Sequence, residues 1–287
     1  MYAKPTAPRS IGGIVDDAVR LYRASFAKAW PLALCGQILI AAPTLIIQYQ
    51  FIGVRGRDPT AILALFKSPT VWLSYVVVVL LALGFYNALV ALVNGFATEK
   101  LETAGRSVSV GFRLLPRSVL LFVVLAALLA VCGVGAGILM GISSVFASPV
   151  LRAILVIGVA VVFIYVWGRV FLANIALIVQ DAGIFKSIGI SWALIKNYWW
   201  RTATVYTIAL IMAMVFYAAI AALDALLGAV LHNSGALAVI VGQVVAVPTY
   251  AVLMSLLPAV QLAMYYDLKL RKEGADLASR VNALAPQ

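Results

Sequence analysis

The side chains most used for metal binding and acid–base chemistry are scarce here: one histidine, two cysteines and ten acidic residues in 287 positions. A lone His232 offers no His-x-x-x-His pair, and neither Cys35 nor Cys132 has a second thiol close by in sequence, which excludes the common zinc arrangements. There is no Gly-x-x-x-x-Gly-Lys phosphate loop and no Gly-x-Ser-x-Gly elbow. No metal, cofactor or catalytic residue is therefore expected, and the chain reads as non-enzymatic. Charge is scarce as well. Only 11% of positions are Asp, Glu, Lys or Arg and 64% are hydrophobic, where a soluble domain carries about a quarter charged residues.

Long apolar runs fill the space that charge leaves. The hydrocarbon core is roughly 30 Å thick and a helix rises about 1.5 Å per residue, so eighteen or more apolar residues suffice to cross it. Six such stretches are present, at about 30–52, 70–97, 117–141, 153–180, 202–225 and 236–266. They lack the period-two alternation of a barrel strand, which predicts an all-α bundle of six transmembrane helices. Residues 1–29 and 267–287 then form flanking segments. The charged stretch before the first run is longer than that of a cleavable signal peptide, so the first span is expected to serve as an uncleaved insertion signal. Both cysteines fall inside apolar runs and are expected to be small buried hydrophobes.

The net charge of +11 does not gather into one patch, which argues against nucleic acid as a partner. It sorts by connection instead. Sixteen basic residues lie before the first span, in 99–117, in 181–201 and after the last span; four (Arg55, Arg57, Lys67, Arg152) lie on the other side. Basic loops are retained in the cytoplasm, which predicts both termini inside. Arg20, Arg23, Lys28, Arg106, Arg113, Arg117, Lys186 and Lys196 make up a basic face suited to anionic lipid headgroups.

The basic links are amphipathic. At about 100° per residue, Ile14, Ala18, Leu21, Tyr22 and Phe26 share an arc opposite Asp16, Asp17, Arg20, Arg23 and Lys28, which predicts a helix lying flat before the first span. Similar elements precede the third span (Val108, Phe112, Leu115) and the fifth (Ile184, Ile188, Trp192). Three repeats of a flat helix followed by two spans would produce this pattern, and so would the charge rule alone. Asp16 and Asp17 stand one turn from Arg20 and are expected to pair with it. Tyr198, Trp199 and Trp200 read as an interfacial anchor.

A few residues stand out within the spans. Arg169 is costly at membrane depth, and Asn174, Asn87 and Asn94, with Gln37, Gln243 and Asp224 as further candidates, could satisfy it. Two readings are open: a hydrogen-bonded clamp between helices, or a polar site of a small transporter or channel. Gly133, Gly137 and Gly141 recur every four residues and form a groove for close helix packing, within the bundle, with a second copy of the chain or with lipid. Pro43, Pro248 and Pro258 are expected to kink their helices. His232 and Asn233 fall in an outer loop.

The stretches SIGGIVDDAVRLYRASFAKAWPL, IALIVQDAGIFKSIGISWALIKNYWWR and MYYDLKLRKEGADL resemble a broad group of bacterial six-span inner-membrane proteins, which includes the membrane region attached to some glycerophosphodiester phosphodiesterases. The resemblance implies a six-span domain with amphipathic connectors and puts Ser191, Trp192, Tyr266, Asp267 and Glu273 on matched positions. It carries no catalytic function over, because the phosphodiesterase members use a separate soluble barrel that this sequence does not contain. The expected partners are the bilayer, its anionic headgroups, and a protein partner or second copy.

Overall fold

The computed structural model describes residues 5–53, 67–100, 103–145, 149–230 and 235–284. Among them are nine helices and no strand: α1 Ile11–Gly53, α2 Pro69–Ala97, α3 Ala104–Arg113, α4 Leu115–Val145, α5 Pro149–Val170, α6 Ala173–Gln180, α7 Ile184–Ile195, α8 Trp199–Val230 and α9 Gly235–Leu284. Six apolar segments are long enough to cross a bilayer, within 11–48, 69–97, 115–135, 152–180, 199–227 and 240–274. The protein is a multi-pass, all-α integral membrane protein. The expected outer-loop residues Arg55, Arg57, His232 and Asn233 lie outside the described residues, as do Glu102 and the side chain of Asp224.

Packing is uneven along the bundle. The segment before α1, α3, α7 and the second half of α9 meet at one end, which carries most of the basic residues and is called the basic end below. There α2 is buried from Ala88 to Val93 and α9 from Ala259 to Leu268, against Leu172 just before α6, Ile175 and Ala176 of α6, and Ile14, Ala18 and Leu21 of α1. Small residues allow this approach. A Cβ on Gly111 of α3 would stand 2.5 Å from the Ala88 amide nitrogen and 2.6 Å from the Gly84 carbonyl oxygen of α2, so the two backbones touch. Towards the other end the spans expose large apolar side chains, Ile154, Ile157 and Val161 on α5 and Leu210, Met214 and Val215 on α8 among them. In hydrocarbon such exposure carries no hydrophobic cost.

Three expectations need correction. The amphipathic stretch before the first span is not a separate flat helix: α1 runs unbroken from Ile11 to Gly53, through Pro31 and Pro43. Its apolar arc packs into the protein core, with Ile14, Ala18 and Leu21 at most 1% exposed, because α2 and α9 supply the apolar partner that a membrane surface would otherwise provide. Neither cysteine is buried, Cys35 being exposed and Cys132 partly so; at this depth lipid replaces protein as the apolar surrounding. Asp17 pairs with Arg9 at 3.4 Å rather than with Arg20, since Asp17 points into the bundle while Arg20 is exposed.

The fourth span, expected to be one helix, breaks at Phe171–Leu172 between α5 and α6. A break inside a membrane frees backbone groups that water cannot reach. One hydroxyl serves both: Ser191 Oγ of α7 donates to the Arg169 carbonyl at 2.8 Å and accepts from the Leu172 N–H at 3.1 Å. Ser191→Ala would leave a buried acceptor and a buried donor unpaired, and is expected to destabilise the folded protein by about 2 kcal/mol in detergent unfolding. A Ser191→Ala protein that unfolds with the wild type would show that the break is satisfied some other way.

Candidate functional site at the basic end

Two of the intramembrane amides come together. Asn87 Nδ2 donates to Ser118 Oγ (2.9 Å), Ser118 Oγ donates to Asn174 Oδ1 (3.1 Å), and Asn174 Nδ2 donates back to Asn87 Oδ1 (3.1 Å). This closed ring ties α2, α4 and α6. Asn94 lies elsewhere, accepting from the Tyr266 hydroxyl at 2.5 Å, and Gln180 donates to the Tyr265 hydroxyl at 2.5 Å. Gln37 donates to Met254 Sδ (3.1 Å) and Gln243 to Gln48 (3.1 Å), both between α1 and α9.

None of these amides serves Arg169. The residue is 2% exposed, and Nε and Nη1 have no hydrogen-bond partner among the described residues, so the expected hydrogen-bonded clamp is not formed among them. Its carbon Cζ sits 4.4 Å from the Trp192 ring centroid and 5.5 Å from that of Tyr165. Cation–π attraction offsets part of the desolvation, by on the order of 2 kcal/mol for a well-placed desolvated ring, and no carboxylate pairs with Arg169 among the described residues.

A second charged group fastens the segment before α1 to the last span. Asp267, 2% exposed, accepts from the Arg9 N–H (2.8 Å), from Arg201 Nε (3.2 Å) and from Arg271 Nε (2.9 Å). The Arg9 carbonyl accepts in turn from Arg201 and from Arg271. Beside this latch a cavity of about 460 Å³ is lined by Thr6, Pro8, Tyr198 and Arg271 among others.

A larger cavity, about 560 Å³, opens at the α7–α8 turn between Val161, Tyr165, Lys196, Asn197, Tyr198, Trp199, Trp200 and Arg201. Trp199 also packs onto α5. Its indole lies over Gly168, where a Cβ would stand 2.8 Å from Nε1, and its ring centroid is 5.9 Å from that of Tyr165. Tyr165 thus belongs both to the wall of this cavity and to the cage around Arg169.

No family model, no curated protein and no solved structure matches the chain. Its own geometry carries the functional reading.

Arg20, Arg23, Lys28, Arg106, Arg113, Arg117, Lys186 and Lys196 are all exposed. Arg117 is held by Asp181 at 2.7 Å and Lys28 lies over the Phe96 ring; the other six form no salt bridge among the described residues. Gly133, Gly137 and Gly141 are exposed too, and a Cβ on any of them would meet nothing within 4 Å. No side chain of the described residues packs into that groove. Of the positions singled out by resemblance, Ser191 caps the helix break, Trp192 covers Arg169, Tyr266 holds Asn94 and Asp267 forms the latch, while Glu273 pairs with Lys269 at 3.7 Å on the surface. Sequence reasoning missed Ser118, Arg9, Arg201 and Tyr165. The one available signal was Asp267 itself, an isolated acid at the end of a long uncharged run.

Proposed function

We propose that the protein is a non-enzymatic component of a bacterial inner membrane, with both termini and the basic end in the cytoplasm, that engages anionic lipid headgroups and so organises lipid or a partner protein there. The carrying observation is the exposed, largely unpaired set of cations on four separate segments that the fold brings to one end. Each suitably placed Lys or Arg is worth up to about 1 kcal/mol against an anionic surface. The resemblance to six-span bacterial inner-membrane proteins agrees with this reading.

The test is lipid selection by the full chain. Native membrane patches extracted around the protein with their lipids should be enriched in phosphatidylglycerol over the bulk membrane. Changing Arg106, Arg113 and Lys186 together to Gln should cut that enrichment several-fold. Equal enrichment in the triple variant would refute the reading.

A small transporter or channel built around Arg169 is the second reading, favoured by the presence of a buried cation at the helix break. Against it stands the burial of Arg169, 2% exposed with its guanidinium over the Trp192 ring.

A further inference from the structure

Three observations converge on the cavity at the α7–α8 turn. Its lining contains two cations, Lys196 and Arg201, and no carboxylate. Its Tyr165 wall is shared with Arg169, a buried guanidinium with two unpartnered nitrogens. Its remaining walls are the apolar and aromatic surfaces of Val161, Trp199 and Trp200. From Val161 an exposed strip continues along α5 through Ile157 and Ile154, at spacings of four and three residues on one helix face.

We propose that this cavity is a specific site for one anionic phospholipid, whose phosphate acts as a counter-ion to Arg169, which has none among the described residues, and whose acyl chains follow the Val161–Ile157–Ile154 strip. A buried charge without a partner is expensive, and in surroundings of low dielectric constant an anion in the adjoining cavity is attracted far more strongly than it would be in water. Lys196, exposed at the cavity rim, supplies a charge-assisted hydrogen bond to the phosphate, with the Asn197 amide beside it. Arg201 is largely committed to Asp267 and the Arg9 carbonyl, so its contribution is positive potential. The aromatic rings suit the level at which headgroup meets hydrocarbon. Inorganic phosphate would satisfy the cations but not the apolar walls, and for this reason the occupant is assigned as a lipid.

This inference rests on the proposed preference of the basic end for anionic headgroups, but it concerns one retained molecule and not the surrounding shell. The experiment is native mass spectrometry of the full chain released from mild detergent, after equilibration with vesicles of phosphatidylglycerol or of phosphatidylcholine with the same acyl chains. The wild type should keep one phosphatidylglycerol and should not keep phosphatidylcholine at comparable occupancy. Lys196→Gln should lower retention about tenfold, the worth of one charge-assisted hydrogen bond. Arg169→Gln should lower it at least as much, and Arg106→Gln, outside the cavity, should leave it unchanged. Because Lys196 is exposed, its variant is expected to fold even if the Arg169 variant does not. Retention in Lys196→Gln equal to wild type, or equal retention of the two lipids, would overturn the proposal. Loss of the bound lipid to excess inorganic phosphate would overturn it as well, showing a free-anion site. Shell enrichment that fails while the single lipid is still held would instead sink the broader reading alone.

Discussion

Gly111→Ala is expected to destabilise the protein by about 3 kcal/mol, the upper end of the usual cost of overpacking. The new methyl would meet the α2 backbone, at 2.5 Å from the Ala88 nitrogen, 2.6 Å from the Gly84 oxygen and 2.8 Å from the Ala88 Cα. Backbone in the middle of a buried helix cannot rotate aside as a side chain can, so α3 has to lift away. That movement would also stretch the long contact from Asn87 Nδ2 to the Gly111 carbonyl, now 3.5 Å, and with it disturb the Asn87–Ser118–Asn174 ring. Gly105→Ala is the control. It lies in the same helix with nothing within 4 Å of its added methyl, and exchanging glycine for alanine in a helix is favourable by roughly 0.5–1 kcal/mol. Thermal unfolding in detergent should separate the two variants by well over the experimental scatter; equal midpoints would mean that α3 does not sit against α2 as described.

Asp267→Asn should cost a similar amount, about 3 kcal/mol, because removing the carboxylate leaves Arg201 and Arg271 facing each other in a largely buried place. Their side chains are 18% and 21% exposed, enough for water to soften the effect without cancelling it. Glu273→Gln offers the contrast: its pair with Lys269 is surface-exposed, with the carboxylate 62% accessible, and exposed ion pairs contribute little. In the Asp267→Asn background, Arg271→Gln should be far less harmful than in the wild type, since it removes a charge that has already lost its partner. If the two substitutions simply add, the latch is not a unit.

The number of long apolar helices was legible in the sequence because crossing a bilayer is a matter of length and apolarity, and both are one-dimensional. Pairing of polar groups was not, because it depends on how each helix is rotated about its axis. Asn87 and Asn174 were visible as amides at membrane depth, yet Ser118, which closes their ring, is one serine among many. For Arg169 the sequence suggested amide partners, whereas the fold gave it the faces of Tyr165 and Trp192. Asp17 looked like a partner for Arg20 under the one-turn rule for exposed helix faces. That rule gave the wrong partner because α9 covers this face of α1, and burial left Arg9 as the cation that Asp17 meets.

The bond from the Arg9 amide to Asp267 joins residues 258 positions apart. A ribosome hands helices to the membrane in order, so the opening segment waits unfastened through the insertion of every other span, and only the arrival of the last one lets the bundle lock. A product that stops short of α9 leaves Arg201 without its acid and bares the side of α1 that should be covered.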